Sequence, residues 1–160
     1  MASGEELARI TDRSTYQSPQ WSRDGSKLAY VSDRDGEYQL YVWEVHTGRQ
    51  TKLAAEVGNV LSVEWSPDDT WLAFSGASPQ GGLAIYVVHS DGSALRDLTS
   101  NLRYAVACQW SPDGQRIAFA AANGEDRHKI EIYIVEVASG VVQQVTDNAF
   151  LDGPVLWIQW

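Results

Sequence analysis

Apolar and polar residues alternate along most of the chain in short segments, which Asp-Gly and Ser-Gly pairs separate. The apolar positions of these segments are rich in β-branched and aromatic residues, a combination typical of strands. Long segments with helical spacing are nearly absent. The pattern therefore predicts an all-β protein.

The segments repeat. The stretch from Trp110 to Phe119, WSPDGQRIAF, has two further versions that begin at Trp21 and Trp65. The first two tryptophans are 44 residues apart and the last two 45. This period, with four strands in each repeat, is that of a β-propeller blade. We predict three complete four-stranded antiparallel blades, at about 17–53, 60–98 and 104–146.

Each predicted blade has the same order of strands. The twelve predicted strands are Gln17–Trp21, Lys27–Ser32, Gln39–Val45 and Arg49–Leu53; Val60–Trp65, Trp71–Ser75, Leu83–Val88 and Ala94–Leu98; and Tyr104–Trp110, Arg116–Ala121, Ile130–Val137 and Val141–Val145.

Both ends of the sequence carry a strand pattern without a blade. Leu7–Thr11 matches the fourth strands and Pro154–Trp160 matches a first strand, so we expect a tail at 1–5 and one partial propeller domain over 6–160. Propellers close with roughly four to eight blades, and three make an incomplete ring. We expect the ring to be completed by a homo-oligomer or by the missing blades of a longer chain.

The repeated residues have structural explanations. In the Trp-Ser-Pro-Asp-Gly turns we expect Asp24, Asp68 and Asp113 to accept backbone N–H bonds rather than act as acids or metal ligands. Leu61, Val63 and Trp65 share one face of a predicted strand, which places them in the core between blades. Cys108 occupies the register of Val63, so we expect it to pack there as well.

These motifs together resemble the TolB-type, WD-like β-propeller repeat. The resemblance rests on Trp-Ser-Pro-Asp-Gly, a Leu/Ile-Ala-Phe/Tyr strand, the Ser32-Asp33-Arg34-Asp35-Gly36 hairpin and a Leu/Ile-Tyr-Val strand, and it covers roughly 6–160. Arg23 stands where proline is usual and Asp69 where glycine is usual, and we expect weaker turns there. The resemblance implies a scaffold of the kind used in TolB, in the propellers of prolyl-oligopeptidase-like peptidases and in sensor proteins.

Charge and hydropathy exclude several classes of partner. The formal net charge is −9, so the average field repels nucleic acids and anionic membrane surfaces. Apolar runs are too short for a membrane span, and residues 1–15 contain no apolar signal-peptide core. The residues alone do not identify the cellular compartment. A TolB-like role would imply the periplasm.

Motifs for catalysis or cofactor binding are missing. Neither a Gly-x-Gly-x-x-Gly element, a Walker loop nor a Gly-x-Ser-x-Gly elbow occurs, and His46, His89 and His128 fall in different repeats. We expect no enzyme activity and no cofactor. Asp33, Asp35 and Glu37 are candidates for a hard-cation site, but a plain hairpin turn is the favoured interpretation and we predict no metal.

Chain direction places the second-to-third hairpins and the blade-to-blade connections on one rim. Aromatic residues and arginine are typical interface anchors, so we predict a partner site there. The candidates are Arg34, Gln80, Asn101, Arg103, Tyr104, Arg127, His128, Asn148, Phe150 and Asp152.

The leading hypothesis is a non-catalytic scaffold that binds a protein or peptide through this rim. One alternative is a substrate-gating propeller fragment of a prolyl-oligopeptidase-like peptidase. Another is a propeller fragment that only self-associates.

Overall fold

A computed structural model describes residues 16–99, 101–122 and 129–147. These residues form twelve strands and no helix. The strands make three separate four-stranded sheets with antiparallel neighbours in chain order. The three sheets are propeller blades that do not close into a ring, which confirms the predicted fold class. The predicted strands at Leu7–Thr11 and Pro154–Trp160 lie outside the described residues.

Blade one consists of β1 (Tyr16–Trp21), β2 (Lys27–Ser32), β3 (Gln39–Glu44) and β4 (Gln50–Leu53). Blade two consists of β5 (Ser62–Trp65), β6 (Trp71–Ala77), β7 (Leu83–His89) and β8 (Arg96–Asp97). Blade three consists of β9 (Arg103–Trp110), β10 (Arg116–Ala122), β11 (Ile130–Glu136) and β12 (Val142–Gln144).

The outer strand of blade two is shorter than the predicted Ala94–Leu98. Ala94 has a φ of 56°, which is not a strand conformation. Beyond Asp97, the Thr99 hydroxyl accepts the Ile85 N–H at 2.8 Å in place of a backbone carbonyl. Thr146 does the same for Ile132 in blade three, at 2.9 Å. A threonine hydroxyl therefore ends each of these outer strands while the third strand keeps its hydrogen bond.

The turns between first and second strands use their aspartates as predicted. Asp24 accepts the Ser22 hydroxyl at 2.7 Å and the Ser26 N–H at 2.9 Å. The Ser26 N–H and the two serine hydroxyls lower the pKa of Asp24 to about 2. Asp68 and Asp113 accept the equivalent bonds from Ser66 and Ser111, both at 2.6 Å. The turn aspartates are therefore structural, as expected.

Adjacent blades pack through unlike faces. We call the face that carries the tryptophan and points to the preceding blade the leading face, and the opposite face the trailing face. The first core joins the trailing face of blade one, including Val31 and Leu40, to the leading face of blade two, including Phe74. The second core joins blades two and three in the same way, through Ile85 and Phe119. The blades therefore stack large side chains on smaller ones.

Cys108 lies in the second core, where burial raises the pKa of its thiol to about 12, so its predicted packing role is confirmed. Leu61 differs from the prediction because it is 42% exposed, whereas Val63 is buried. Strand β5 begins only at Ser62, so Leu61 lies outside the strand, although its carbonyl accepts the Ser18 hydroxyl of blade one at 3.1 Å.

The leading tryptophans have different environments in the three blades. Trp65 and Trp110 are 7% and 5% exposed because each packs against the preceding blade, whereas Trp21 of blade one is 57% exposed. The Trp21 indole is therefore largely exposed to solvent, whereas Leu28, Tyr30 and Tyr41 on the same face are buried.

Candidate functional site

The predicted partner rim is assembled from hairpins and connections that touch each other. The Val60 N–H donates to the Tyr38 carbonyl at 3.0 Å, and the Ala77 N–H donates to the Gly58 carbonyl at 2.9 Å. The connection between blades one and two therefore runs between their second-to-third hairpins. Both kinds of loop lie on one rim, as chain direction predicts.

Tyr104 is the centre of the described part of this rim. It has a φ of 56°, an unusual conformation for a bulky residue, at an irregularity in the pairing of β9. A Cβ built on Gly82 would lie 3.5 Å from the Tyr104 nitrogen and 3.8 Å from its ring. The start of blade three thus packs against the hairpin of blade two. These distances are ordinary van der Waals contacts, and the φ of 86° is what favours glycine at position 82.

Polar residues lie close to Tyr104 in the chain and in the hairpin that it packs against. Gln80, Asn101 and Arg103 are exposed, and Tyr104 itself is half-buried. The Gln80 side chain is held in its hairpin, because the Ser78 hydroxyl donates to its Oε1 at 2.8 Å. We call Gln80, Asn101, Arg103 and Tyr104 the rim cluster. It combines a fixed aromatic ring, a guanidinium group and two amides, which together can contact an apolar side chain and bind peptide groups.

Arg34 belongs to the hairpin between β2 and β3, apart from the rim cluster. Its guanidinium carbon is 4.5 Å from the centre of the Tyr41 ring and 5.5 Å from that of Tyr30, and Nη2 donates to the Tyr30 hydroxyl at 2.7 Å. Nη1 donates to Gln50 Oε1. Arg34 therefore lies against the leading face of its own blade. Five other predicted rim residues are outside the described residues, namely Arg127, His128, Asn148, Phe150 and Asp152.

The acidic candidates of the first hairpin have other contacts. Asp35 accepts the Tyr41 hydroxyl at 2.9 Å and forms an ion pair with Lys52, and these two groups lower the pKa of its carboxyl. The Glu37 carboxylate lies beside Gly58. Within 16–99, 101–122 and 129–147, no group of three His, Cys, Asp or Glu side chains is arranged to hold a metal ion.

The inner strands line a second polar surface that sequence reasoning missed. Two cavities of about 320 and 400 Å³ lie along β1, β5 and β9, and Gln20 and Glu64 line both of them. The signal was present in the sequence. Gln20, Glu64 and Gln109 each directly precede a leading tryptophan, and alternation points them away from the core that the tryptophan enters.

Glu64 has the most perturbed carboxyl on this surface. Burial raises its pKa to about 7, although the hydrogen bond that Oε2 accepts from the Trp110 N–H, 2.8 Å long, opposes the shift. The charge of the Glu64 carboxyl therefore changes near neutral pH. The neighbouring Trp110 indole Nε1 is buried and has no hydrogen-bond partner among the described residues, whereas Trp65 Nε1 donates to the Gln20 carbonyl at 2.9 Å.

The leading tryptophans of the three blades are in register, and serine hydroxyls bond to the turn aspartates. Each blade packs its leading face on the trailing face of the blade before it. Together these features define an open β-propeller. The sequence profile of the TolB beta propeller domain matches residues 4–156. The chain belongs to this family.

Relatives extend the comparison. The Tol-Pal system protein TolB of Desulfosudis oleivorans is 36% identical over 97 residues, which are 60% of this chain and 22% of that protein. The uncharacterized peptidase YuxL of Bacillus subtilis is 43% identical over 51 residues, 31% of this chain and 8% of that protein. The crystal structure of TolB from Acinetobacter baumannii has a TM-score of 0.67 at 19% identity, covering 86% of this chain and 33% of that one. The chain thus spans a third or less of each of these relatives.

No helix that could span a membrane occurs among the described residues.

Proposed function

We propose that the chain is a non-catalytic propeller scaffold that binds a protein or peptide through the rim cluster. The observation that carries this proposal is Tyr104, which is held in a left-handed conformation against Gly82. The other members of the rim cluster are exposed. Strained conformations of bulky residues persist where the surrounding structure fixes them, and they concentrate at binding sites. Two blades together fix this ring.

The chemistry of the rim cluster suits a polypeptide. A tyrosine ring provides a large contact area with few rotatable bonds, and arginine is enriched in the same energetically important positions. Gln80 and Asn101 each supply donors and an acceptor for backbone amides. The Tol-Pal system named for the relatives supports a partner that is itself a protein.

A selection with phage-displayed random peptides, using the full chain as bait, tests this proposal. For the selected peptides we expect Arg103→Ala to weaken binding about tenfold, as for an interface residue of moderate importance. Tyr104→Asn, which tolerates the left-handed conformation but removes the ring, should weaken it at least as much.

The matched control is Arg49→Ala, because Arg49 is also exposed but lies between the third and fourth strands, on the opposite rim. Its affinity should stay unchanged. If Arg103→Ala and Tyr104→Asn bind like the control, the rim cluster is not the site. If they unfold the protein, the rim cluster is part of the core and the proposal fails.

The second candidate is the gating propeller of a peptidase, favoured by the likeness to YuxL. The coding sequence that follows Trp160 distinguishes the two. A hydrolase segment with a Gly-x-Ser-x-Gly elbow would favour the peptidase. In either case we propose that further blades, from a second copy or from a longer chain, complete the ring.

A further inference from the structure

The two cavities along the inner strands meet at the same pair of polar side chains. Gln20 of β1 and Glu64 of β5 line both cavities, and Trp110 at the end of β9 also lines the one of about 320 Å³. Ligand pockets in proteins have volumes of about 300 to 1,000 Å³, so each cavity is large enough for a small ligand. We call Gln20, Glu64 and Trp110 the inner site.

The position of the inner site does not depend on how the ring is completed. The innermost strands of propeller blades surround a central channel, and they do so in an open and in a closed ring. The three residues belong to adjacent inner strands that contact one another. Further blades would therefore extend the channel without replacing these residues.

Trp110 contributes an unsatisfied donor to the wall of the first cavity. The residue is 5% exposed, and its Nε1 is buried with no acceptor among the residues that the structure describes. Trp65, its counterpart in blade two, donates to the Gln20 carbonyl at 2.9 Å. The equivalent carbonyl for Trp110, that of Glu64, is not used. A buried N–H without an acceptor is costly, so a ligand that supplies an acceptor would be favoured.

The Glu64 carboxyl can make further hydrogen bonds. Oε2 accepts the Trp110 backbone N–H at 2.8 Å, and within the described part of the chain Glu64 has no other hydrogen bond and no ion pair. Burial raises its pKa to about 7. Near neutral pH the group is therefore present both as a carboxylate, which accepts, and as a carboxylic acid, which also donates. A ligand group that can donate and accept fits either form.

Gln20 adds an amide to this carboxyl. Its side chain is exposed and has no hydrogen bond to the described residues, whereas its backbone carbonyl is used by Trp65. The serines of the same surface are already paired, because Ser62 shares a hydrogen bond with Ser75 and Ser18 donates to the Leu61 carbonyl. The groups left for a ligand are thus one carboxyl, one amide and one indole N–H.

We propose that the inner site binds a small neutral sugar or polyol, a ligand with hydroxyl groups on adjacent carbons. A hydroxyl both donates and accepts, so one can accept the Trp110 indole N–H while its neighbours pair with Glu64 and Gln20. An amine would leave the indole without an acceptor, and an anion would be repelled by a chain of net charge −9. The inner site and the rim cluster share no residue, so this inference does not depend on peptide binding at the rim.

The first test is an NMR titration of the full chain, labelled with ¹⁵N at tryptophan, with D-glucose, D-mannose, D-galactose and myo-inositol. The seven tryptophans give separate indole N–H signals, and the one lost in Trp110→Phe belongs to Trp110. We expect this signal to shift saturably with at least one of the four, at a Kd of about 1 mM as befits a small ligand. The Trp65 signal, assigned by Trp65→Phe, should shift less, because its N–H already has an acceptor. No saturable shift with any of the four, or equal shifts of both signals, overturns the proposal.

The second test uses variants and a competing chemistry. Gln20→Ala should weaken binding about tenfold, and its matched control is Gln143→Ala, an exposed glutamine on the outer strand β12 that should leave the affinity unchanged. Ethanolamine, which offers an ammonium group, should shift the Trp110 signal no more than ethylene glycol does. If Gln20→Ala binds like the control, the inner site is not the binding site. Tighter binding of ethanolamine that Glu64→Gln abolishes would instead identify a site for cations and also overturn the proposal.

Discussion

The two internal interfaces of the protein join the same kinds of face but satisfy their polar groups differently. Between blades one and two, the Trp65 indole donates to a backbone carbonyl and Asp69 caps the neighbouring turn. Between blades two and three, the Trp110 indole has no partner in the described part of the chain. There the half-buried Glu64 accepts the Trp110 backbone N–H instead.

The difference shows which part of the repeat is fixed. Large leading side chains and smaller trailing ones recur at both interfaces, because each blade must bury the same apolar surface. Polar contacts at the inner strands and turns do not recur. At the second interface the Trp110 N–H donates to the Glu64 carboxyl, whose charge changes near neutral pH.

Removing a leading tryptophan should have the largest effect. We expect Trp65→Ala and Trp110→Ala each to lower the free energy of unfolding by about 3 to 5 kcal/mol, because each truncates a buried aromatic side chain. Chemical denaturation measures the change. The control Leu61→Ala, at an exposed position, should cost much less.

The phenylalanine variants sharpen this result. Trp65→Phe leaves the Gln20 carbonyl without its donor, whereas Trp110→Phe removes an indole N–H that has no partner in the described part of the chain. We therefore expect Trp65→Phe to be the more destabilising by about 1 kcal/mol. Equal losses would show that the two indoles have the same environment in solution.

Glu64 should make the second interface sensitive to pH. Its pKa is raised to about 7 in the folded state from an ordinary value near 4.5, so between these values the folded protein keeps a proton that the unfolded chain has lost. Stability should then fall as pH rises through this window. The penalty is absent below it and complete above it.

Glu64→Gln removes that penalty and keeps an acceptor for the Trp110 N–H. At pH 8 we expect it to raise the free energy of unfolding by roughly 1 to 2 kcal/mol, a figure reduced because the side chain keeps some contact with solvent. At pH 4 the effect should nearly vanish. Denaturation curves at the two pH values measure it, and a gain of equal size at both would contradict a role for ionisation.

The hydrogen bonds that Asp69 accepts from the Arg23 and Asp24 N–H groups, across the first interface, should have a smaller effect than the loss of a leading tryptophan. Asp69→Asn keeps a residue that tolerates the left-handed conformation but loses one of the two carboxylate oxygens, so we expect a cost of about 1 kcal/mol. In an Arg23→Pro background one of the two N–H donors is already absent, and the cost should shrink. Costs that add without coupling would mean that the two residues act independently.

The fold could be read from the sequence because its signals are local and repeated. The strand at Lys27–Ser32 has the bounds that alternation predicts, and the turn aspartates bind the serines that flank them in sequence. The end of β8 was less predictable. A threonine hydroxyl completes the pairing there, and alternation of apolar residues carries no information about such a bond.

Contacts between repeats were the part that sequence reasoning missed. Comparison of each turn with the repeat pattern predicts only that Arg23 and Asp69 weaken their own turns. They are 46 residues apart and stabilise each other across an interface. The hairpin position of Arg34 predicts that it lies on the rim, but it does not predict that its guanidinium stacks on two tyrosines of the blade. Neither contact has a signal in the local pattern.

The short outer strands also affect how the protein avoids aggregation. An edge strand presents unpaired N–H and C=O groups that can template another strand, and its length sets the size of the template. Here β4, β8 and β12 have only four, two and three residues. In blades two and three a threonine hydroxyl then takes over the next hydrogen bond of the third strand. Little continuous edge is therefore left at the outer strands for an amyloid-like addition.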